Sequence, residues 1–164
     1  MKIKSEIKIL GIDPGLTKTG WGLILAKNNS ISFIAGGTIY TNSSQALPAR
    51  INHLHQNISQ IANHYKPDEI AIEEVFVNKN PVSSLKLGHA RGAIILSLSL
   101  ENDKIFEYAS TAIKKTIVGV GRADKNQIAV MIKYLLPQAN CKSEDEADAL
   151  AVAICHNNHR CSYH

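Results

Sequence analysis

The sequence predicts an α/β fold on a mixed sheet, antiparallel first and parallel later, with helices on its faces. Three observations carry this: three strand-like runs open the chain in close succession, a patterned helix then leads to a fourth strand, and helical and strand-like stretches alternate from there. The first run, "IKILGID", is aliphatic and is stopped by Pro14 and Gly15; "GWGLILAK" and "SFIAGGTIY" follow at the short intervals of a meander. "LPARINHLHQNISQIANHY" sets Leu47, Ile51, Leu54, Ile58 and Ile61 at helical spacing. "KPDEIAIEEVF" is a strand entered at Pro67, and "SSLKLGHARGAIILSLSLEN" a long helix with a serine as candidate N-cap. "KIFEYA" is a short strand, "KNQIAVMIKYLL" lies in a further helical region, and "SEDEADALAVAICHNN" closes the pattern as a helix through Ala147, Leu150, Ala151 and Ile154.

A length of 164 residues, 45% of them hydrophobic and 20% charged, supports one core and not two of average size, so residues 1–164 are expected to form a single domain. Order is expected to be lost in the tail from about residue 157. Lys and Glu interrupt the apolar residues of "MKIKSEIKIL", which therefore lacks a signal-peptide core, and no stretch approaches a membrane span. A cytoplasmic location without a membrane partner is expected. Cys141, Cys155 and Cys161 have no framework spacing and read as reduced thiols. The formal charge of +4 permits a polyanionic partner without requiring one.

Four carboxylates fall where apolar residues would otherwise be expected. Asp13 ends the first strand, Glu73 or Glu74 ends the fourth, and Asp145 and Asp148 open the last helix, three apart and hence neighbours on its surface. Taken singly, an Asp at a strand end is a common turn former, and acids at a helix N-terminus are common caps and dipole partners. Taken together, they would repel one another unless cations occupied the space between them, and an all-oxygen donor set suits Mg²⁺ or Mn²⁺. Two such ions can clamp the attacking and leaving oxygens of an in-line phosphoryl displacement.

Four blocks, "GIDPGLTKTGWGL", "IEEVFVNKNPVSSLKLGHARG", "YASTAIKKTIVGVGRADKNQI" and "DEADALAVAICH", together resemble the RuvC family of Holliday junction resolvases, in the family's order and over nearly the whole chain. The resemblance implies an RNase H-like fold with a five-stranded sheet flanked by helices. It also implies a homodimeric, Mg²⁺-dependent endonuclease with two ions per active site and Mn²⁺ as possible substitute. Such an enzyme nicks two symmetric strands of four-way junction DNA in recombination and repair, leaving 5′-phosphate and 3′-hydroxyl ends. The family works with the RuvA–RuvB branch-migration complex. Carried over by position, its catalytic and metal-holding acids fall on Asp13, Glu73, Asp145 and Asp148, which selects Glu73 over Glu74. Its basic positions fall on Lys114 and Lys125, with Lys115 and Arg122 able to share the DNA-binding role, and a junction-contacting aromatic falls on Phe76. Lysine supplies a flexible ammonium that reaches phosphate oxygens.

The small residues Gly88, Ala90 and Gly92, with apolar residues on more than one face, suit the second long helix to packing on the sheet, a partner subunit or both. Two sites related by a two-fold would match a junction's near-two-fold symmetry. The tail "CHNNHRCSYH", with Cys155, His156, His159, Cys161 and His164, fits no zinc spacing. The first block also resembles the phosphate loop of sugar kinases and actin-like ATPases, but those need two such domains. Another RNase H-like nuclease with a different substrate would use similar acids, whereas a non-catalytic junction-binding module would need none of the four.

Overall fold

The structure, a computed structural model, describes residues 6–74, 80–122 and 124–160, without the side chain of Lys125. Its elements are β1 (Glu6–Asp13), β2 (Lys18–Lys27), β3 (Ser30–Tyr40), α1 (Leu47–Tyr65), β4 (Glu69–Glu73), α2 (Pro81–Ser99), β5 (Ile105–Tyr108), α3 (Ser110–Val118), α4 (Lys125–Leu135) and α5 (Glu144–Arg160). They form one five-stranded sheet in the order β3-β2-β1-β4-β5. β1 pairs antiparallel with β2 and β2 with β3, while β4 runs parallel to both β1 and β5, the mixed sheet that the order of elements predicts.

Strand alternation sends each strand's side chains to two different cores. Leu10, Ile12, Leu23, Ile70 and Ile72 pack with Leu54 and Ile58 of α1 and Ile94 and Leu98 of α2. Ile7, Ile9, Ile24 and Ala71 pack on the other side with Leu150, Ala153 and Ile154 of α5, over which lie Ile113 and Ile117 of α3 and Ile128 and Ile132 of α4. Each fully buried Ile or Leu stabilises the fold by about 1.5–3 kcal/mol. Held between the sheet and α3 and α4, α5 is a central helix, buried at every position from Glu146 to His156 except Asp148.

The sheet makes room for that helix with glycine. Gly11 of β1 stands opposite Gly22 of β2, and Gly22 opposite Gly36 of β3, so a trough without side chains crosses three strands. A Cβ on Gly11 would lie 2.1 Å from the Ala149 carbonyl oxygen, and one on Gly20 would lie 1.9 Å from that of Asp145. Backbone thus rests on backbone, and α5 keeps small residues, Ala149 and Ala153, where it crosses Gly11, while Gly22 makes room for Leu150.

Three local readings are corrected. α3 is a helix of its own, closed by Gly119 in the left-handed region at φ 84°, where glycine meets no Cβ penalty. The cap of α2 is Asn80 rather than a serine: its side chain accepts from the Val82 and Ser83 amides, with Pro81 in the first turn. α5 continues to Arg160, past residue 157 where order was expected to end, because Arg160 Nε donates to Glu69 Oε2 at 3.0 Å. Among the described residues no helix is long and apolar enough to cross a membrane.

Candidate active site

β1 and β4 are parallel neighbours with Ile12 opposite Ile72, so the next residue of each, Asp13 and Glu73, leaves the same end of the sheet. Alternation also sets the face. Gly11 lies against α5 and Ala71 belongs to the α5-side core, so Asp13 and Glu73, two residues on, face α5 as well. Glu74 is exposed beyond the strand end, its amide donating to the Tyr108 carbonyl at 2.8 Å. Strand geometry therefore favours Glu73 independently of any likeness to a family.

These two residues open into a cleft of about 220 Å³ lined by Asp13, Glu73, Ser110, Ile113, Lys114, Ile128, Asp148 and Ala151. β1, β4 and α5 each deliver one carboxylate, and α3 delivers the half-buried Lys114 and the Ser110 hydroxyl. Asp145 does not line the cleft. It sits in the first turn of α5, its carbonyl seated over Gly20, half-buried and on the helix surface next to Asp148. Ser143 holds this helix start: its Oγ accepts from the Glu146 amide at 3.1 Å and shares a hydrogen bond with Thr38 Oγ1 across the trough.

Lys115 and Arg122 are exposed outside the cleft, on α3 and the turn that follows it. Lys125 opens α4, where Asp124 forms a capping box with Gln127, and Phe76 lies outside the described residues. Ser110 and the trough glycines were missed by sequence reasoning. The alternate glycines 20 and 22 in β2 were the available signal, but their meaning depends on register with Gly11 and Gly36.

Among the described residues no three His, Cys, Asp or Glu side chains stand close enough to hold a metal ion as they are. The donor chemistry nevertheless suits one: Mg²⁺ keeps several waters and takes only one or two carboxylates directly, so an open cleft walled by carboxylates fits it better than a closed cage would.

At the far end of α5, His156 is buried and bridges two strands. The Tyr108 hydroxyl lies 2.7 Å from its Nδ1 and Glu69 Oε2 lies 2.9 Å from its Nε2. A carboxylate can only accept, which makes Nε2 the protonated nitrogen and Nδ1 the acceptor from tyrosine. Burial pushes the His156 pKa below its ordinary 6.5, against the pull of Glu69. Burial alone would raise Glu69, but hydrogen bonds and charge from Arg160 and His156 outweigh it and hold Glu69 below 4.5. Burial raises the Cys155 thiol, and burial followed by the Glu146 charge pushes Cys141 up to about 11, so neither is a ready nucleophile at neutral pH.

Comparison with known proteins points to one family. The family described as crossover junction endodeoxyribonuclease RuvC matches residues 9–156. A protein of that name from Granulibacter bethesdensis is 47% identical over 159 residues, covering 97% of this chain and 89% of the relative. Another, from Rhizobium leguminosarum bv. trifolii, is 45% identical over 158 residues, covering 96% and 94%. Among solved structures, Thermus thermophilus RuvC in complex with a Holliday junction substrate superposes with a TM-score of 0.85 at 25% identity, covering 94% of each chain.

Proposed function

The chain belongs to the RuvC family of crossover junction endodeoxyribonucleases, and from that premise we propose that it resolves four-way DNA junctions by paired, symmetric nicks made at the Asp13–Glu73–Asp148 cleft. Its fold is RNase H-like. The observation that carries the reading is the convergence of carboxylates from β1, β4 and α5, with Lys114, in one open cleft.

In this reading Asp13, Glu73, Asp145 and Asp148 are the catalytic and metal-holding acids, and Mg²⁺ is the ion, two per site, with Mn²⁺ able to replace it. Bound there, the divalent ions supply Lewis-acid stabilisation of phosphate charge and a water of lowered pKa. The chain's own part would be to hold those ions on its carboxylates and to position the scissile phosphate beside them through Lys114 and Ser110. Lys114 sits in the cleft wall, where its ammonium offsets charge on a phosphate oxygen. The Ser110 hydroxyl beside it can donate to a second oxygen. Lys115 and Arg122 contact DNA outside the cleft, and Lys125 and Phe76 are further DNA-contacting residues.

The active form is a homodimer through α2. Val82, Leu85, Leu96 and Leu100 of this helix and its C-cap are 61%, 65%, 58% and 70% exposed, and with His89 and Gly92 they fall on one stripe of near-3.5 spacing. Added Cβ atoms at Gly88 and Gly92 would meet nothing within the chain, so these small residues serve close approach by something outside it. The remaining expectations complete the reading: one nuclease domain, acting in the cytoplasm and alongside the RuvA–RuvB complex.

The deciding experiment is cleavage of a synthetic four-way junction with Mg²⁺, with linear duplex and RNA–DNA hybrid as controls, by wild type and Asp13→Asn. Paired symmetric nicks in the junction alone, abolished in the variant, are expected. Cleavage of the hybrid would reassign the substrate, and an active variant would reassign the site.

A further inference from the structure

A second, larger cavity of about 650 Å³ is cut into the free edge of the sheet at β3. Gly36 and Gly37 line this notch, and the side chains of Glu146 and Trp21 pack over them, 2.8 and 3.1 Å from where their Cβ atoms would stand. The space beyond is walled by aromatic rings, Trp21, Phe33, Tyr40 and Tyr65, by polar groups from the segment that leads into α5, Gln138, Asn140, Lys142 and Ser143, and by the Glu146 side chain, whose carboxylate accepts from the Lys142 amide. Trp21 and Tyr65 stand with ring centroids 5.7 Å apart. Tyr40 is 57% exposed and carries the Lys18 ammonium 6.0 Å from its ring centroid.

The notch and the catalytic cleft are separate hollows on either side of the first turn of α5. Asp13 pairs with Gly20 and Gly20 with Thr38, so the Thr38 wall is two strand spacings, about 10 Å, from the catalytic aspartate and on the same face. Only the first turn of α5, bearing Asp145, stands between them. About 10 Å is the reach of roughly three stacked nucleotides at ~3.4 Å each. A strand whose phosphate sits in the cleft and which runs on over the first turn of α5 brings a neighbouring nucleotide to the notch.

We propose that the β3-edge notch is a nucleotide subsite, which takes an unstacked base of the DNA strand whose phosphate occupies the Asp13 cleft. The chemistry of the walls selects that ligand: the exposed Tyr40 ring accepts any base's π-face, with Trp21 and Tyr65 half-buried, amides from Asn140 and Gln138 read its hydrogen-bonding edge, and Lys18 and Lys142 lie within the same surface for its phosphate. The inference rests on the cleft being the nuclease site.

Two readouts keep the subsite and that premise separate. The first is the fluorescence of Trp21, the chain's single tryptophan, titrated with a four-way junction using Asp13→Asn to prevent cutting. Saturable quenching is expected, and weakened quenching in Asp13→Asn with Tyr40→Ala. No response of Trp21 at saturating junction overturns the proposal and leaves the β3 edge as a surface for a protein strand. The second readout is cleavage of junctions that carry one abasic nucleotide, scanned through the positions flanking the cut. One position within about three nucleotides is expected to lower wild-type cleavage about tenfold and to have no further effect in Tyr40→Ala or Asn140→Ala. Equal loss in wild type and variants, or no sensitive position, overturns it. If wild type cuts no junction, the reading of the cleft fails, and the Trp21 titration still decides the notch.

Discussion

A methyl group on Gly20 would have to share space with the Asp145 carbonyl, so the first turn of α5 would have to rise from the sheet to admit it. Gly20→Ala is expected to cost about 1–3 kcal/mol of stability, measured by urea unfolding. Because Asp145 and Asp148 ride on that turn, junction cleavage is also expected to fall, by up to about 100-fold for a 1 Å displacement, while Asp13 and Glu73 stay in place. His156 governs a different property. It is buried as the neutral imidazole, with its pKa lowered, whereas an unfolded chain takes up its proton near pH 6.5. Its contribution is therefore complete above pH 6.5 and is lost as pH falls through the lower folded value; Glu69, also lowered, adds a further loss below pH 4.5. Thermal melts from pH 8 to pH 5 should show Tm falling below 6.5. His156→Gln should flatten that fall at a cost of about 1–3 kcal/mol at neutral pH, since glutamine keeps only part of the bridge between Tyr108 and Glu69.

At the scale of elements, α2 carries the clearest prediction. Leu85→Glu with Leu96→Glu puts two charges on its exposed stripe, and sedimentation velocity is expected to show a monomer in place of a dimer without loss of the fold. The five strands were legible in the sequence because their aliphatic runs are short and bounded by Gly, Pro and Asn. The acids were legible for the related reason that a carboxylate at the end of such a run has no place in a core. α3 was not legible apart from α4, since nothing but Gly119 and a short turn divides two helical patterns of similar character. The central place of α5 was hidden too. A helix covered on opposite sides has no polar stripe to mark its orientation, and the trough beneath it exists only when three strands pair in register. The same limit concealed the notch, whose walls come from β2, β3, α1 and the approach to α5.

For the molecule as a whole, junction affinity should be dominated by phosphate contacts spread over both subunits of the proposed dimer. Binding by the Asp13→Asn variant, measured by gel shift, is expected to weaken by at least an order of magnitude between 50 and 200 mM salt. A shallow dependence would mean that few phosphates are engaged. The cleft also joins residues from three distant parts of the chain: Asp13, Glu73 and Asp148. On the ribosome, β1 and its partners emerge well before α5, and until that helix enters the glycine trough one face of the sheet has no central cover. A nascent chain that stalls before residue 144 thus exposes Ile7, Ile9 and Ile24, marking it for chaperones, and still lacks Asp145 and Asp148. An endonuclease of this design is in this way disarmed until α5 is made, because that helix completes the core and, in the proposed reading, the cutting site.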